Sequence, residues 1–330
     1  MTRDASRETG NGKRETASFR AGEVAVVGRP NAGKSTLVNR LIGEKVAIVS
    51  DKPQTTRKRI LGIARRPGAE IALVDTPGIH RPDHRMNAAM VRDATDALST
   101  ADLVLLVVDA AEGGREDRVL EVLARAGRPA ILALNKIDLL SKERLLPMIA
   151  DFAARHPFRE IVPISAKTGD GVDRLADLLA ANLPEGEAAY PDDFLSSTPE
   201  AEWAAEVIRE KLLERTRQEL PFASAVVVER MTRDEERDVT VVYASIVVEK
   251  EGQKGIVIGR GGSMIREIGK AARQELEERS GGRWFLDITV KVRADWRDDE
   301  RFLARLVTEP GEWAKDPPSP RPSPGGRGSS

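Results

Sequence analysis

The eight residues "GRPNAGKS", Gly28–Ser35, constrain this chain more than any other stretch. They satisfy G-x-x-x-x-G-K-[ST] in full, the pattern of a loop whose backbone N–H groups curl around phosphate oxygens. Such a loop needs a strand to deliver it and a helix to leave it, because the helix N-terminus is part of the anion site. Both neighbours are present: the apolar run "VAVV" precedes it, and "KSTLVNRLIG" follows with helical spacing. The glycines Gly28 and Gly33 let the backbone turn sharply between Arg29, Pro30, Asn31 and Ala32. Lys34 supplies a point charge for β- and γ-phosphates, and Ser35, followed by Thr36, offers a hydroxyl to Mg²⁺.

The rest of the first half agrees. From Glu23 to about Leu183 the short apolar runs "VAVV", "IALV", "LVLLVV", "AILAL" and "IVPI" alternate with helical stretches. That alternation predicts an α/β domain with a mixed, mostly parallel sheet and helices on both faces. The segment 184–199, "PEGEAAYPDDFLSSTP", reads as a linker by its prolines, acids and serines. The rhythm then changes to helix, strand, strand, helix turn, helix, strand, helix, an α+β unit over residues 200–309. Its expected elements are a helix at Glu200–Arg217, the strands "SAVVVERM" and "VTVVYASIVVE", an apolar turn "IVIG", a helix to about Glu278, the strand "WFLDITVKV" and a final helix at Asp298–Leu306. Residues 1–20 and the Pro/Gly/Ser-rich stretch 310–330 read as disordered extensions of the phosphate-loop domain at 21–183 and its partner.

Composition narrows the function classes. The net charge is −1, so nucleic acid or membrane binding must rest on a local patch. There is no cysteine, which excludes disulfides and thiolate metal sites and fits a reducing, cytoplasmic setting. The apolar run "LVLLVV" falls far short of the ~20 residues that span a bilayer, and the charged N-terminus has no signal-peptide core.

Four further elements point to a guanine nucleotide. "DTPG", Asp75–Thr76–Pro77–Gly78, ends the strand "IALV", where a carboxylate can hold a Mg²⁺ shell and Gly78 can bring its N–H to the γ-phosphate. "NKID" places Asn135, Lys136 and Asp138 after "AILAL". A buried Asp138 carboxylate accepts from guanine N1–H and its 2-amino group, and adenine lacks both donors. "SAK", Ser165–Ala166–Lys167, can present a backbone N–H to guanine O6. "QTTR", Gln54–Arg57, offers a threonine to the Mg²⁺ shell.

These five elements in order resemble the translation-factor-related GTPases over Glu23–Leu183. Within them the chain is similar to the branch with an apolar residue, here Ile79, where many regulatory GTPases keep a water-positioning glutamine. Asn31 also matches that branch, and in some of its members the resemblance implies a potassium ion at this asparagine. The same resemblance favours Thr56 over Thr55 as the Mg²⁺ ligand beside Ser35 and Asp75. His80 and His84 lie near this loop without a carboxylate spaced to serve them, and read as polar loop residues. Asp109 reads as a turn or helix cap.

The second unit is not basic as a whole, but its glycine loop is. Within Lys254–Arg273, five basic residues oppose Glu267 alone. Ile258 and Gly259–Arg260–Gly261–Gly262 form a GxxG turn into a helix with Ile265, Ile268, Ala272 and Leu276 as its expected buried stripe. Lys254, Arg266, Lys270 and the loop residues Ile258, Gly259, Arg260, Gly261 and Gly262 are its candidate RNA contacts. A GxxG alone also fits a plain turn into a solvated basic helix. In the element order given above it is similar to a type II KH domain, which clamps a single-stranded backbone there.

A GTPase domain followed by such a KH domain resembles the Era GTPases of bacteria, over about Glu23–Leu306. "IREKLLERTRQELPFA", "EGQKGIVIGRGG" and "WRDDER" strengthen the likeness. The resemblance implies a GTP/GDP switch that holds the 3′ end of 16S ribosomal RNA and assists assembly of the 30S subunit, acting as a monomer with Mg²⁺. It also implies a peripheral association with the inner membrane, for which the sequence shows no amphipathic anchor. Two other functions compete: an RNA-binding scaffold with negligible hydrolysis, suggested by Ile79, and a GTPase of tRNA modification or the membrane.

Overall fold

The computed structural model describes residues 18–79, 84–113, 116–217 and 219–307. Most of the N-terminal extension expected at 1–20, the tail expected at 310–330, and His80 lie outside the described residues. The first unit is built on six strands: β1 (Arg20–Val27), β2 (Ile60–Arg66), β3 (Ala69–Asp75), β4 (Leu103–Asp109), β5 (Ala130–Asn135) and β6 (Glu160–Pro163). Their order across the sheet is β2-β3-β1-β4-β5-β6. β2 and β3 form an antiparallel hairpin, and every other pairing is parallel. β4 is buried along its whole length, which is why it reads as an unbroken apolar run and not as an alternation.

Helices cover both faces. α1 (Lys34–Ile42) and α5 (Val172–Asn182) set Leu37, Val38, Leu175 and Leu179 against one face. α2 (Arg85–Thr100), α3 (Asp117–Ala126) and α4 (Leu145–Arg155) set Leu98, Leu123 and Phe152 against the other. The linker stretch after α5 is not detached from this unit. Ser196 bridges to Gly62 at the free edge of β2, and the Arg65 guanidinium donates to the Phe194 carbonyl at 3.1 Å. The linker thus shields an edge that would otherwise offer unpaired backbone groups.

The second unit consists of α6 (Glu200–Arg215), β7 (Ser224–Asp234), β8 (Val239–Val248), α7 (Glu251–Ile258), α8 (Ser263–Ser280), β9 (Arg283–Val292) and α9 (Glu300–Val307). β7 and β8 are an antiparallel hairpin, and β9 returns parallel to β8. α6 and α8 pack on one face through Trp203, Val207, Ile208, Ile268, Ala272 and Leu276. The other face carries Ala225, Val227 and Val247. It buries them against Trp296, Phe302 and Leu303, and against Met86 and Met90 of α2. A fourth apolar cluster therefore joins the two units.

Three local expectations are corrected. "IVIG" is not a turn: Ile256–Ile258 complete α7, a two-turn helix. It tolerates Gly252 and Gly255 because the Gln253 side-chain Oε1 accepts from the N–H groups of Glu249 and Lys250 and caps its start. Ile265 is half-buried, so the buried stripe of α8 is Ile268, Ala272 and Leu276. The last helix starts at Glu300, after a separate 3₁₀ turn at Trp296–Asp298 that seats Trp296 in the shared cluster.

Candidate nucleotide site and nucleic-acid interface

The loop Gly28–Gly33 leaves the C-terminal end of β1 and enters α1, at the edge where parallel strands of an open sheet place their ligands. Its glycines are required by close approach. A Cβ on Gly28 would lie 2.2 Å from the Val107 carbonyl oxygen, and one on Gly33 (φ 93°) 2.2 Å from Asn135 Nδ2. Asn135 ties three motifs together: its Nδ2 donates to the Ala32 carbonyl at 2.8 Å, and its Oδ1 accepts from the Ala166 N–H at 2.9 Å. Arg40 Nε donates to the Ala166 carbonyl at 2.8 Å and fixes the loop through Lys167 from the other side. Ser165 Oγ donates to Asp138 Oδ1 at 2.7 Å. Asp138 itself is exposed, not buried as the sequence reading expects, because it stands on the single 3₁₀ turn Ile137–Leu139.

At the phosphate end Lys34 is buried, and its Nζ donates to the Arg29 carbonyl at 3.1 Å and to that of Gly28 at 3.4 Å. Burial lowers its pKa, and the Asp75 charge works against that. Burial likewise raises the Asp75 pKa, which Lys34 and two hydroxyls oppose. Those hydroxyls belong to Ser35 and Thr56. Ser35 Oγ lies 2.7 Å from Asp75 Oδ2 and 2.8 Å from Thr56 Oγ1, and Thr56 Oγ1 lies 3.3 Å from the same carboxylate oxygen. The Thr55 hydroxyl turns away to the Lys52 carbonyl at 2.7 Å. Asp75 Oδ1 is buried without a hydrogen-bond partner. Two hydroxyls and a carboxylate with one oxygen unsatisfied are an oxygen donor set that fits Mg²⁺.

The neighbouring residues sort as follows. Ile79 is 2 % exposed and belongs to the core beneath the sheet, while its N–H donates to the Gly28 carbonyl at 3.0 Å. Gly78 stands hard against Pro30, where a Cβ would come within 2.6 Å of the Pro30 nitrogen. The Asn31 Nδ2 donates to the Asp51 carbonyl at 2.8 Å, which leaves Oδ1 as the amide atom able to ligate a cation. Asp109 accepts from the N–H groups of Ala111 and Glu112 and pairs with Lys136 at 2.5 Å, a turn cap as expected. His84 is not without a carboxylate: its Nδ1 is 3.3 Å from Asp298 Oδ2 of the second unit. Its partner lies 214 positions away, beyond the reach of sequence spacing.

Sequence reasoning missed Glu116. It is buried beside the phosphate loop, 3.9 Å from Arg29, and burial pushes its carboxyl up to about 6. Its only sequence signal is a position at the start of α3.

In the second unit, Gly259, Gly261 and Gly262 all have positive φ, 71°, 58° and 77°. A side chain at Gly259 would meet Met264 at 2.8 Å, whereas the space at Gly261 and Gly262 is open. The loop carries Arg260 outward and is braced by Arg266, whose Nη2 donates to the Gly261 carbonyl at 2.8 Å. Lys270 is exposed on α8, and Lys254 stands 4.0 Å from Glu251 on α7. Ile256 is exposed, and Ile258 and Ile265 are half-buried around the same loop. Basic and partly exposed apolar side chains therefore occur together along the α7–α8 stretch.

Fold and site together define a P-loop GTPase joined to a KH domain. Residues 23–136 match the family described as "50S ribosome-binding GTPase", and residues 219–297 match that of the KH domain. The chain is 50 % identical to GTPase Era of Geobacter metallireducens over 290 residues, covering 87 % of this chain and 97 % of that protein. It is 47 % identical to GTPase Era of Geotalea uraniireducens over 293 residues, 88 % of this chain and 98 % of that one. Among solved structures, Era in complex with MgGDPNP and nucleotides 1506–1542 of 16S ribosomal RNA superposes with a TM-score of 0.85 at 39 % identity, covering 88 % of this chain and 98 % of that one. An Aquifex aeolicus Era variant bound to GDP·AlF₄⁻ gives 0.84 at 39 % identity, with 88 % and 99 % covered. The chain belongs to the GTPase Era family. It is a GTPase, which settles the choice between a hydrolytic switch and a passive scaffold.

Proposed function

We propose that this protein binds GTP between the phosphate loop and the Asn135–Asp138 and Ser165–Lys167 motifs, hydrolyses it, and holds the 3′ end of 16S ribosomal RNA on its KH domain during 30S assembly. The observation that carries the nucleotide assignment is the convergence of Ser35, Thr56 and Asp75, with one buried Asp75 oxygen unsatisfied. Mg²⁺ held there supplies positive charge to the phosphate oxygens. The chain's own residues do the rest. Lys34 and the backbone N–H groups of Gly28–Ser35 position the phosphates, Gly78 brings the backbone against the loop, and the Asp138 carboxylate selects guanine. Ile79, packed into the core, has no group to orient water, so basal hydrolysis is slow. A potassium ion on Asn31 Oδ1 is proposed to supplement the charge at the phosphates.

The RNA reading rests on the GxxG loop with Arg260 projecting and its brace from Arg266, with Ile256, Ile258 and Ile265 partly exposed nearby in the chain. It is supported by the solved Era complex that contains a 16S fragment. The proposed units are the GTPase domain at 21–183, the linker at 184–199 and the KH domain at 200–309. The proposed setting is the cytoplasm, with the protein a monomer. No described helix is long and apolar enough to cross a membrane, and a peripheral association with the inner membrane is part of the proposal. The test is a crosslinking map with an RNA of the 16S 3′ end, run beside single-turnover GTP cleavage. Crosslinks at Gly259–Gly262 are expected, and crosslinks confined to other surfaces would overturn the RNA assignment.

A further inference from the structure

Arg209 lies in α6 of the second unit, yet it reaches the nucleotide site. It is 2 % exposed. Its guanidinium donates through Nη2 to the Thr55 carbonyl and through Nε to Glu206 at 3.0 Å, and Nη1 is buried without a partner. Two residues further along the first unit, Arg57 makes the reciprocal contact. Its Nη1 donates to the Ser224 carbonyl at 2.8 Å and its Nη2 to that of Pro221 at 3.2 Å, with the guanidinium 5.7 Å above the Trp296 ring. Between them sits Thr56, whose hydroxyl meets Ser35 and Asp75. The backbone on both sides of that hydroxyl is therefore anchored on the KH unit.

This arrangement is costly. Two guanidinium groups lie close together, Arg209 buried and Arg57 half-buried, each with a buried N–H group unsatisfied. Burial, and then the nearby Arg209 charge, holds Arg57 down to about 9. Glu206 is the compensating anion: burial alone would raise its pKa, but Arg209 and Arg57 bring it below the usual carboxylate range. A well-packed apolar contact would join two domains without this penalty, and the shared cluster around Trp296 already does so. What the arginine adds is a directed, charge-assisted hydrogen bond to one carbonyl, that of the residue before Thr56.

We propose that Arg209 is a positioning residue of the GTPase: the KH unit's α6 sets the place of the Thr56 hydroxyl through the Thr55 carbonyl, and so sets the affinity of the GTP-bound site for Mg²⁺. The inference rests on the reading of Thr56 as a Mg²⁺ ligand in the GTP state. The site for the γ-phosphate and its metal is then incomplete without the second unit, whereas GDP binding, which does not use Thr56, is indifferent to it.

The test uses the full chain and equilibrium binding of a fluorescent, non-hydrolysable GTP analogue and of fluorescent GDP, each titrated with Mg²⁺. Arg209→Met keeps the length of the side chain and removes its donors. It is expected to raise the Mg²⁺ concentration for half-maximal analogue binding roughly tenfold, the equivalent of one lost charge-assisted hydrogen bond, with GDP affinity changed less than about twofold. Arg209→Lys, which keeps one charged donor, should recover part of the shift and serves if the methionine variant does not fold. Arg279→Ala is the control for a merely loosened interface, because Arg279 donates to the Lys45 carbonyl across the same boundary without touching residues 54–57. It should leave the Mg²⁺ requirement unchanged. An unshifted Mg²⁺ requirement in Arg209→Met, or equal losses for the GTP analogue and GDP, would overturn the proposal. Thr56→Ala separates the two levels. If it shifts the requirement and Arg209→Met does not, the metal assignment stands and the positioning role falls. If Thr56→Ala has no effect, both fall together.

Discussion

Asp138 presents its carboxylate on one 3₁₀ turn, with Ser165 fixing one oxygen. An acceptor in that place suits the N1–H and 2-amino donors of guanine. Asp138→Asn converts half of it to a donor, so preference is expected to move from GTP toward XTP, whose base carries a carbonyl where guanine has the amine. Competition binding of the two nucleotides checks this, and equal GTP affinity in variant and wild type would remove Asp138 from the base site. A second residue-scale expectation concerns Gly33. Its φ of 93° and the 2.2 Å approach of Asn135 Nδ2 leave no room for a Cβ. Gly33→Ala should cost about 1–3 kcal/mol of strain and break the Asn135 link between the phosphate loop and Ala166. Nucleotide affinity should drop by at least about fivefold, the loss that about 1 kcal/mol of strain represents, readable by calorimetry. At Asn31 the expectation is chemical. With Oδ1 left to ligate a monovalent cation, GTP cleavage should run faster in potassium than in sodium, and identical rates would dismiss the cation while leaving Ser35 and Thr56 untouched.

The loop between α7 and α8 combines exposure, positive φ at three glycines and an outward arginine. Replacing Arg260 and Gly261 together by aspartate should abolish RNA binding and spare GTP binding. Two negative charges would face the phosphate backbone, and at Gly261 the strain comes from φ alone because the space around it is open. A folded double variant that binds RNA with wild-type affinity and salt dependence would return this loop to an ordinary helix start. The basic residues on α8 separate further. Lys270 is exposed on α8, and losing it should lower the salt slope of log K by roughly 0.7 if it meets one phosphate. Arg266 also braces the Gly261 carbonyl, so its alanine variant should lose more affinity than the slope accounts for. Filter binding at several salt concentrations distinguishes the two.

Across the whole molecule the two units share a boundary that combines an apolar cluster with buried charge at Arg209 and Glu210 and with ion pairs that reach the surface. Trp296 is fully buried in the shared cluster, and its Nε1 donates to the Ala223 carbonyl at 3.0 Å. Trp296→Ala should destabilise the protein by about 3–5 kcal/mol, measured by chemical unfolding. Lys45 of the first unit lies 2.6 Å from both Glu210 and Glu275 of the second. Burial alone would raise the Glu275 pKa, but hydrogen bonds from Lys211 and Lys45 bring it below the ordinary value of 4.5. A depressed carboxyl pKa stabilises the folded state above the unfolded value, and the gain is lost as pH falls through the folded one. Glu275→Gln should therefore be less stable than the wild type at pH 7, by no more than about 1 kcal/mol for a partly exposed pair. The gap should narrow as pH falls below 4.5 and close once it has passed the folded value. A gap that persists in acid would mean the glutamate acts by packing and not by charge.

Much of the nucleotide site is local in sequence, and was legible for that reason. A phosphate loop, a carboxylate at a strand end and the Asn-Lys-x-Asp frame each hold their chemistry within a few residues, and a parallel sheet brings strand ends to one edge whatever the loops do. The glycine loop and its basic helix are readable for the same reason, although α7 reads as a turn because two glycines hide a helix that Gln253 caps. The contacts that depend on long separations were not legible. His84 and Asp298, Arg57 and Ser224, Arg209 and Thr55 stand 214, 167 and 154 positions apart, and no periodicity or spacing encodes which charged side chain a fold will carry into a boundary. The exposure of Asp138 and the burial of Glu116 were hidden likewise. The sequence by itself determined the two folds and the chemistry each offers, because strand, helix and loop propensities act over short range. Only the tertiary structure decided that a KH helix supplies a hydrogen bond to the residue before Thr56, because that requires two surfaces to meet and bury charge between them.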